Sequence, residues 1–90
     1  MLKFLVPLTP NKLRILSGRE IIKFLERHDF VTHAIHGSHA KLKRIIDERT
    51  QTLVIPLHDE IAKGTLRDIY NQILEYLPES ARVKNLFFTD

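Results

Sequence analysis

Three strand-like runs between Phe30 and His58 constrain this chain most, because so little sequence separates them. Residues 30–36 (FVTHAIH), 39–46 (HAKLKRII) and 51–58 (QTLVIPLH) are rich in β-branched and apolar residues. Gly37-Ser38 joins the first pair and Asp47-Glu48-Arg49-Thr50 the second. A parallel crossover needs roughly a dozen residues or more, so these strands pair as antiparallel hairpins. Gly37 supplies the positive φ that a two-residue hairpin turn requires. Pro56 has no amide to donate, so the third strand lies at a sheet edge or ends near there.

Helical patterns flank the strands. Ser17 and Glu20 have the spacing of a capping box, and Leu16 and Ile21 that of a hydrophobic staple across it. The helix they open runs over 18–28. Ile21, Ile22, Leu25 and His28 share one face, and Arg19, Lys23, Glu26 and Arg27 the other. Asp29 ends it, since Asp tolerates the left-handed region better than most residues. A second helix over 65–77 carries Leu66, Ile69, Tyr70, Ile73, Leu74 and Leu77 as a buried stripe, and Pro78 stops it.

The order is therefore α-β-β-β-α, an α+β fold. Its economical packing is a three-stranded antiparallel sheet with two helices on one face and the other face open, the double-stranded-RNA-binding-domain-like arrangement. Ninety residues, 43% of them hydrophobic, suit one compact domain. It is expected over 17–77, with an irregular N-terminal extension over 1–16 (holding Pro7 and Pro10) and a tail over 78–90. In that tail Leu86-Phe87-Phe88 either folds back or docks a partner. The apolar run Leu2–Leu8 is broken by Pro7 and is too short to span a bilayer. With no cysteine for a disulfide scaffold or a thiolate metal site, the expected setting is the cytoplasm, with no membrane attachment.

Basic residues exceed acidic ones by 14 to 11. No Asp or Glu occurs from Phe30 to Ile46, where Lys41, Lys43 and Arg44 lie with His33, His36 and His39. Such a patch attracts polyanions, RNA above all, although a solvated strand face has the same composition. Pairing Ile46 with Gln51 puts Leu42 opposite Ile55 and Ala40 opposite Leu57 on the core side. The open side then has Lys43 opposite Val54 and His39 opposite His58. A plain turn at Gly37-Ser38 adds His36 beside His39. His28 and His33 fall on core-facing positions.

Three readings of the open-face histidines compete on the residues alone. An imidazole titrates near neutrality, so it can take a proton from a ribose 2′-hydroxyl or give one to a leaving oxygen, with lysines nearby to hold the phosphate. Imidazoles also bind zinc, but the stretch supplies no carboxylate or thiolate. Ordinary surface histidines are the third reading.

Four segments carry a resemblance. Ser17–Glu26 resembles the opening helix of HicA (YcfA-like) toxins. Gly37-Ser38-His39, with the cationic strand after it, is similar to that family's active-site motif. Ile55-Pro56-Leu57-His58 resembles its third strand, and Lys63–Ile69 the signature opening its second helix. Together they cover about residues 13–77 in the right order. The chain departs from the family's common pattern at Asp29, where Gly is frequent, and at Ala40, where His or a bulky residue is frequent.

The resemblance implies a toxin of a type II toxin–antitoxin system, an endoribonuclease that cleaves mRNA and is neutralised by a HicB-type antitoxin. It assigns the catalytic role to His39. On this reading Gly37, Ser38, Lys41 and Lys43 bind RNA, His58 is the candidate acid, and neither a metal nor another cofactor takes part. The alternative is a non-catalytic RNA-binding module of the same fold. A structural adaptor acting through Leu86-Phe87-Phe88 is a third class.

Overall fold

The computed structural model describes residues 12–78 and 81–89. Of the expected N-terminal extension, residues 1–11 lie outside the described residues. The elements in order are β1 (Lys12–Leu13), α1 (Gly18–Glu26), β2 (Val31–His36), β3 (His39–Ile46), β4 (Arg49–Pro56), α2 (Lys63–Tyr76), α3 (Ala81–Phe87) and β5 (Phe88–Thr89).

The expected α+β fold is present. β2, β3 and β4 form an antiparallel sheet with β3 in the centre, and α1 and α2 both pack against β4. The capping box at the start of α1 is complete: the Glu20 amide donates to Ser17 Oγ at 3.1 Å, and the Ser17 amide to Glu20 Oε1 at 2.9 Å. Leu16 and Ile21, the staple pair, are both buried.

α1 ends at Glu26, two residues before the expected His28, and Asp29 stops it as expected. Asp29 takes a φ of 70°, the Phe30 amide reaches back to the Leu25 carbonyl at 3.1 Å, and the Asp29 amide to that of Glu26 at 3.3 Å. This is the Schellman pattern, and it buries Phe30 beneath the sheet instead of opening a strand with it. α2 begins at Lys63, two residues before Thr65, and carries Leu66, Ile69 and Ile73 into the core.

The second hairpin differs from expectation. Asp47 and Glu48 alone make the turn, with φ values of 50° and 65°. Positive φ at both central positions is what a type I′ turn demands. Neither residue is the glycine or asparagine that would announce such a turn, which is why a four-residue connection looked natural. Ile46 therefore pairs with Arg49, Leu42 with Leu53 and Ala40 with Ile55, so β4 covers 49–56 instead of 51–58. The slip is two residues, the period of a strand, so every side chain keeps its expected face.

Residues 81–89 are also structured. α3 packs on α2, Val83 and Phe87 are buried, and β5 pairs with β1. Tyr70 of α2 lies with its ring centroid 5.2 Å from that of Phe87 and 5.0 Å from that of Phe88. The apolar tail folds back onto the helix layer.

Candidate active site

The Gly37-Ser38 turn is a plain two-residue hairpin. Gly37 has a φ of 58°, and His36 pairs directly with His39. Across β3, His39 pairs with Pro56, not with His58 as the longer turn implied. The two rings still meet: the His39 and His58 centroids are 6.5 Å apart, nearly edge to face. Ser38 Oγ sits 3.5 Å from His39 Nδ1, and both residues are exposed.

Three backbone contacts hold this corner. The Leu57 amide donates to the Ser38 carbonyl at 2.6 Å, tying the end of β4 to the hairpin turn. The Gly18 amide, at the start of α1, donates to the His58 carbonyl at 2.9 Å. Gly18 also lies so close to β4 that a β-carbon there would run into the Pro56 carbonyl. The helix start thus presses on the residues that carry His58. Sequence reasoning missed this role. The signal was a glycine at the first helical position, where Ala would favour the helix more.

From His39 the open face continues along β3. Ala40 and Leu42 are fully buried on the helix side, so His39, Lys41, Lys43 and Ile45 follow one another on the other side. Lys41 and Lys43 are half-buried. The Arg44 guanidinium leaves the expected cationic patch. It turns under the sheet, where it donates to the carbonyls of His28 and Tyr76, each at 3.1 Å, and to Gln51 Oε1 at 2.8 Å. Its charge lies over the Phe30 ring, 4.9 Å from the centroid. It satisfies carbonyls at the C-terminal ends of both α1 and α2, where a positive charge is also favoured by the helix dipole.

The family model for the HicA toxin of bacterial toxin–antitoxin systems matches residues 18–74, more than half of the chain. The match spans α1, both hairpins with the His39 corner, and most of α2. The chain belongs to the HicA toxin family. Comparison with curated proteins and with solved structures found no match. HicA membership places the chain in a toxin–antitoxin system and implies an antitoxin as its partner.

The remaining histidines of this HicA chain divide as follows. His28 is partly buried, with Nδ1 3.0 Å from the Phe24 carbonyl and its ring 4.4 Å from that of Phe24, which fits a structural role. His33 departs from expectation. The β2–β3 register shifts between Thr32 and Ala34, leaving His33 as the extra residue of a bulge. The bulge rotates it away from the core, and it is exposed. Among the described residues no group of three or more His, Asp or Glu side chains is placed to hold a metal ion. No described helix is long and apolar enough to cross a membrane.

Proposed function

We propose that this HicA chain is a metal-independent endoribonuclease that cleaves mRNA through His39. The observation that carries the reading is the exposed His39 ring, 6.5 Å from that of His58, at the head of a face on which Lys41 and Lys43 follow. In the tautomer that carries its proton on Nδ1, facing Ser38 Oγ 3.5 Å away, His39 Nε2 has the lone pair that a general base needs. It takes the proton of a ribose 2′-hydroxyl. The 2′-oxygen then attacks the adjacent phosphorus, the bond from phosphorus to the 5′-oxygen breaks, and that oxygen takes a proton from His58. The substrate's own hydroxyl is already held beside the phosphate, so its effective concentration is high. Lys41 and Lys43 neutralise the charge growing on the phosphate oxygens. Gly37 shapes the turn and lets RNA approach, and Ser38 positions the His39 ring. An mRNA substrate puts the work in the cytoplasm, and the antitoxin on this reading is of the HicB type, covering the His39 face.

The test incubates purified protein with an end-labelled RNA, with and without excess EDTA. Cleavage is expected in both, leaving a 2′,3′-cyclic phosphate and a free 5′-hydroxyl. His39→Ala should fold normally and lose about a hundredfold or more of the rate, the usual contribution of a general base. EDTA-sensitive cleavage, a 5′-phosphate product or an active His39→Ala variant would overturn the mechanism. Tight RNA binding with no cleavage would instead make the protein a binding module.

A further inference from the structure

The open face ends, away from His39, in a hollow of about 460 Å³. Its walls are Asp29, Val31, His33, Lys43, Arg44, Ile45 and Thr50, with the Arg44 guanidinium held by the His28 and Tyr76 carbonyls and Gln51. We infer that this hollow receives one base of the bound RNA and selects a base bearing an exocyclic amino group, as adenine, cytosine and guanine do and uracil does not. The inference rests on the reading of the open face as an RNA surface and adds a base-selecting site to it.

Four observations converge. The volume falls within the range of small-molecule pockets, which are apolar with a few placed polar groups. Val31 and Ile45 are 66% and 72% exposed and line the same hollow, a joined apolar surface that an aromatic base would cover. His33 reaches the hollow because the bulge turns it out of the core, and its ring offers a stacking partner of the kind single-stranded RNA uses.

The polar groups are arranged by charge. Lys43 stands on the His39 side of the hollow and suits a phosphate, whereas Asp29 closes the far end and would repel one. A carboxylate beside a base edge accepts hydrogen bonds from amino groups, as acidic side chains do from cytosine. The Asp29 carboxylate makes no hydrogen bond or ion pair among the described residues. Its φ of 70° is set by the close of α1, so the turn holds its backbone in place.

Along β3 from His39 to Lys43 the distance is about 13 Å, a span of a few nucleotides. A strand of RNA lying on Lys41 and Lys43 with its cut phosphate at His39 therefore brings a nearby base over the hollow.

The test separates this site from the chemistry. Hexamers of adenine, cytosine or uracil built on 2′-fluoro sugars lack the attacking hydroxyl and stay intact. Binding is followed by fluorescence anisotropy and by NMR of the Val31 and Ile45 methyl groups. The adenine and cytosine hexamers should move both methyl signals and bind about three- to tenfold more tightly than uracil, as one partly solvated hydrogen bond allows. Asp29→Gly keeps the left-handed backbone and removes the acceptor. It should abolish that preference, and with one negative charge gone uracil binding should hold or tighten slightly. Equal affinity for the three hexamers, a preference that survives Asp29→Gly, still methyl signals, or no binding at all would overturn the inference. A protein that passes this test but cuts no natural RNA loses the His39 mechanism and keeps the hollow. One that cuts RNA with still methyl signals keeps His39 and loses the hollow.

Discussion

The two faces of β3 carry the same kinds of residue and use them in opposite ways. On the helix side Arg44 spends its guanidinium on the carbonyls of His28 and Tyr76 and on Gln51. On the open side Lys41 and Lys43 make no such bonds among the described residues. Apolar residues divide likewise: Ala40 and Leu42 are sealed in the core, whereas Ile45 and its neighbour Val31 are exposed. A cation joined to fixed carbonyls is part of the scaffold. One left without partners, beside an exposed histidine, is available to a ligand. Position along the strand, odd or even, separates the two.

Substitutions at three places would break or sharpen that contrast. The largest effect belongs to Gly18→Ala, on the helix side. A β-carbon pressed into the Pro56 carbonyl must push α1 away from β4, at about 3 kcal/mol in urea denaturation. Because Gly18 also holds the His58 carbonyl, RNA cleavage should fall with it. Unchanged stability would show that α1 does not need this close approach.

Arg44→Met keeps an apolar stem over Phe30 but releases two helix-end carbonyls and Gln51. The expected loss is about 2 kcal/mol. Arg44→Lys should recover little of it, since an ammonium cannot reach three acceptors with one planar fork. A neutral Arg44→Met result would return Arg44 to the RNA-binding patch.

The double variant Lys41→Ala with Lys43→Ala should change stability by no more than about 0.5 kcal/mol, as surface changes usually do. Its effect appears in RNA binding instead. The slope of log affinity against log salt should flatten by about 1.4, the share of two single-strand phosphate contacts. An unchanged slope would place the RNA elsewhere.

Much of the fold was legible because it rests on local rules. The Ser17–Glu20 box, the Asp29 stop, the Gly37-Ser38 turn and the α2 stripe are each decided within a few residues, and each appears in the structure. The elements that were not legible depend on distant partners. Asp47 and Glu48 adopt positive φ because the two strands they join lock in a tighter register, not because of their own preference. The bulge at His33 is a property of the β2–β3 pair. α3 and β5 gain their stability from Tyr70 and from β1, more than sixty residues earlier in the chain than β5.

The candidate site divides along the same line. Sequence by itself determined that His39 follows a glycine turn, that lysines alternate after it on one strand face, and that the family pattern runs from α1 to α2. Those are matters of order and of the two-residue period of a strand. Tertiary structure decided which cations remain free and by what path His58 comes beside His39, a meeting the strand pattern had expected through direct pairing. Arg44 is withdrawn because the ends of two helices converge beneath it, and His58 reaches His39 because Gly18 and Ser38 fix the path of the chain after Pro56. The Arg44 contacts and the Gly18 approach to Pro56 join residues far apart in sequence and carry no local signature, so only the folded chain reveals them.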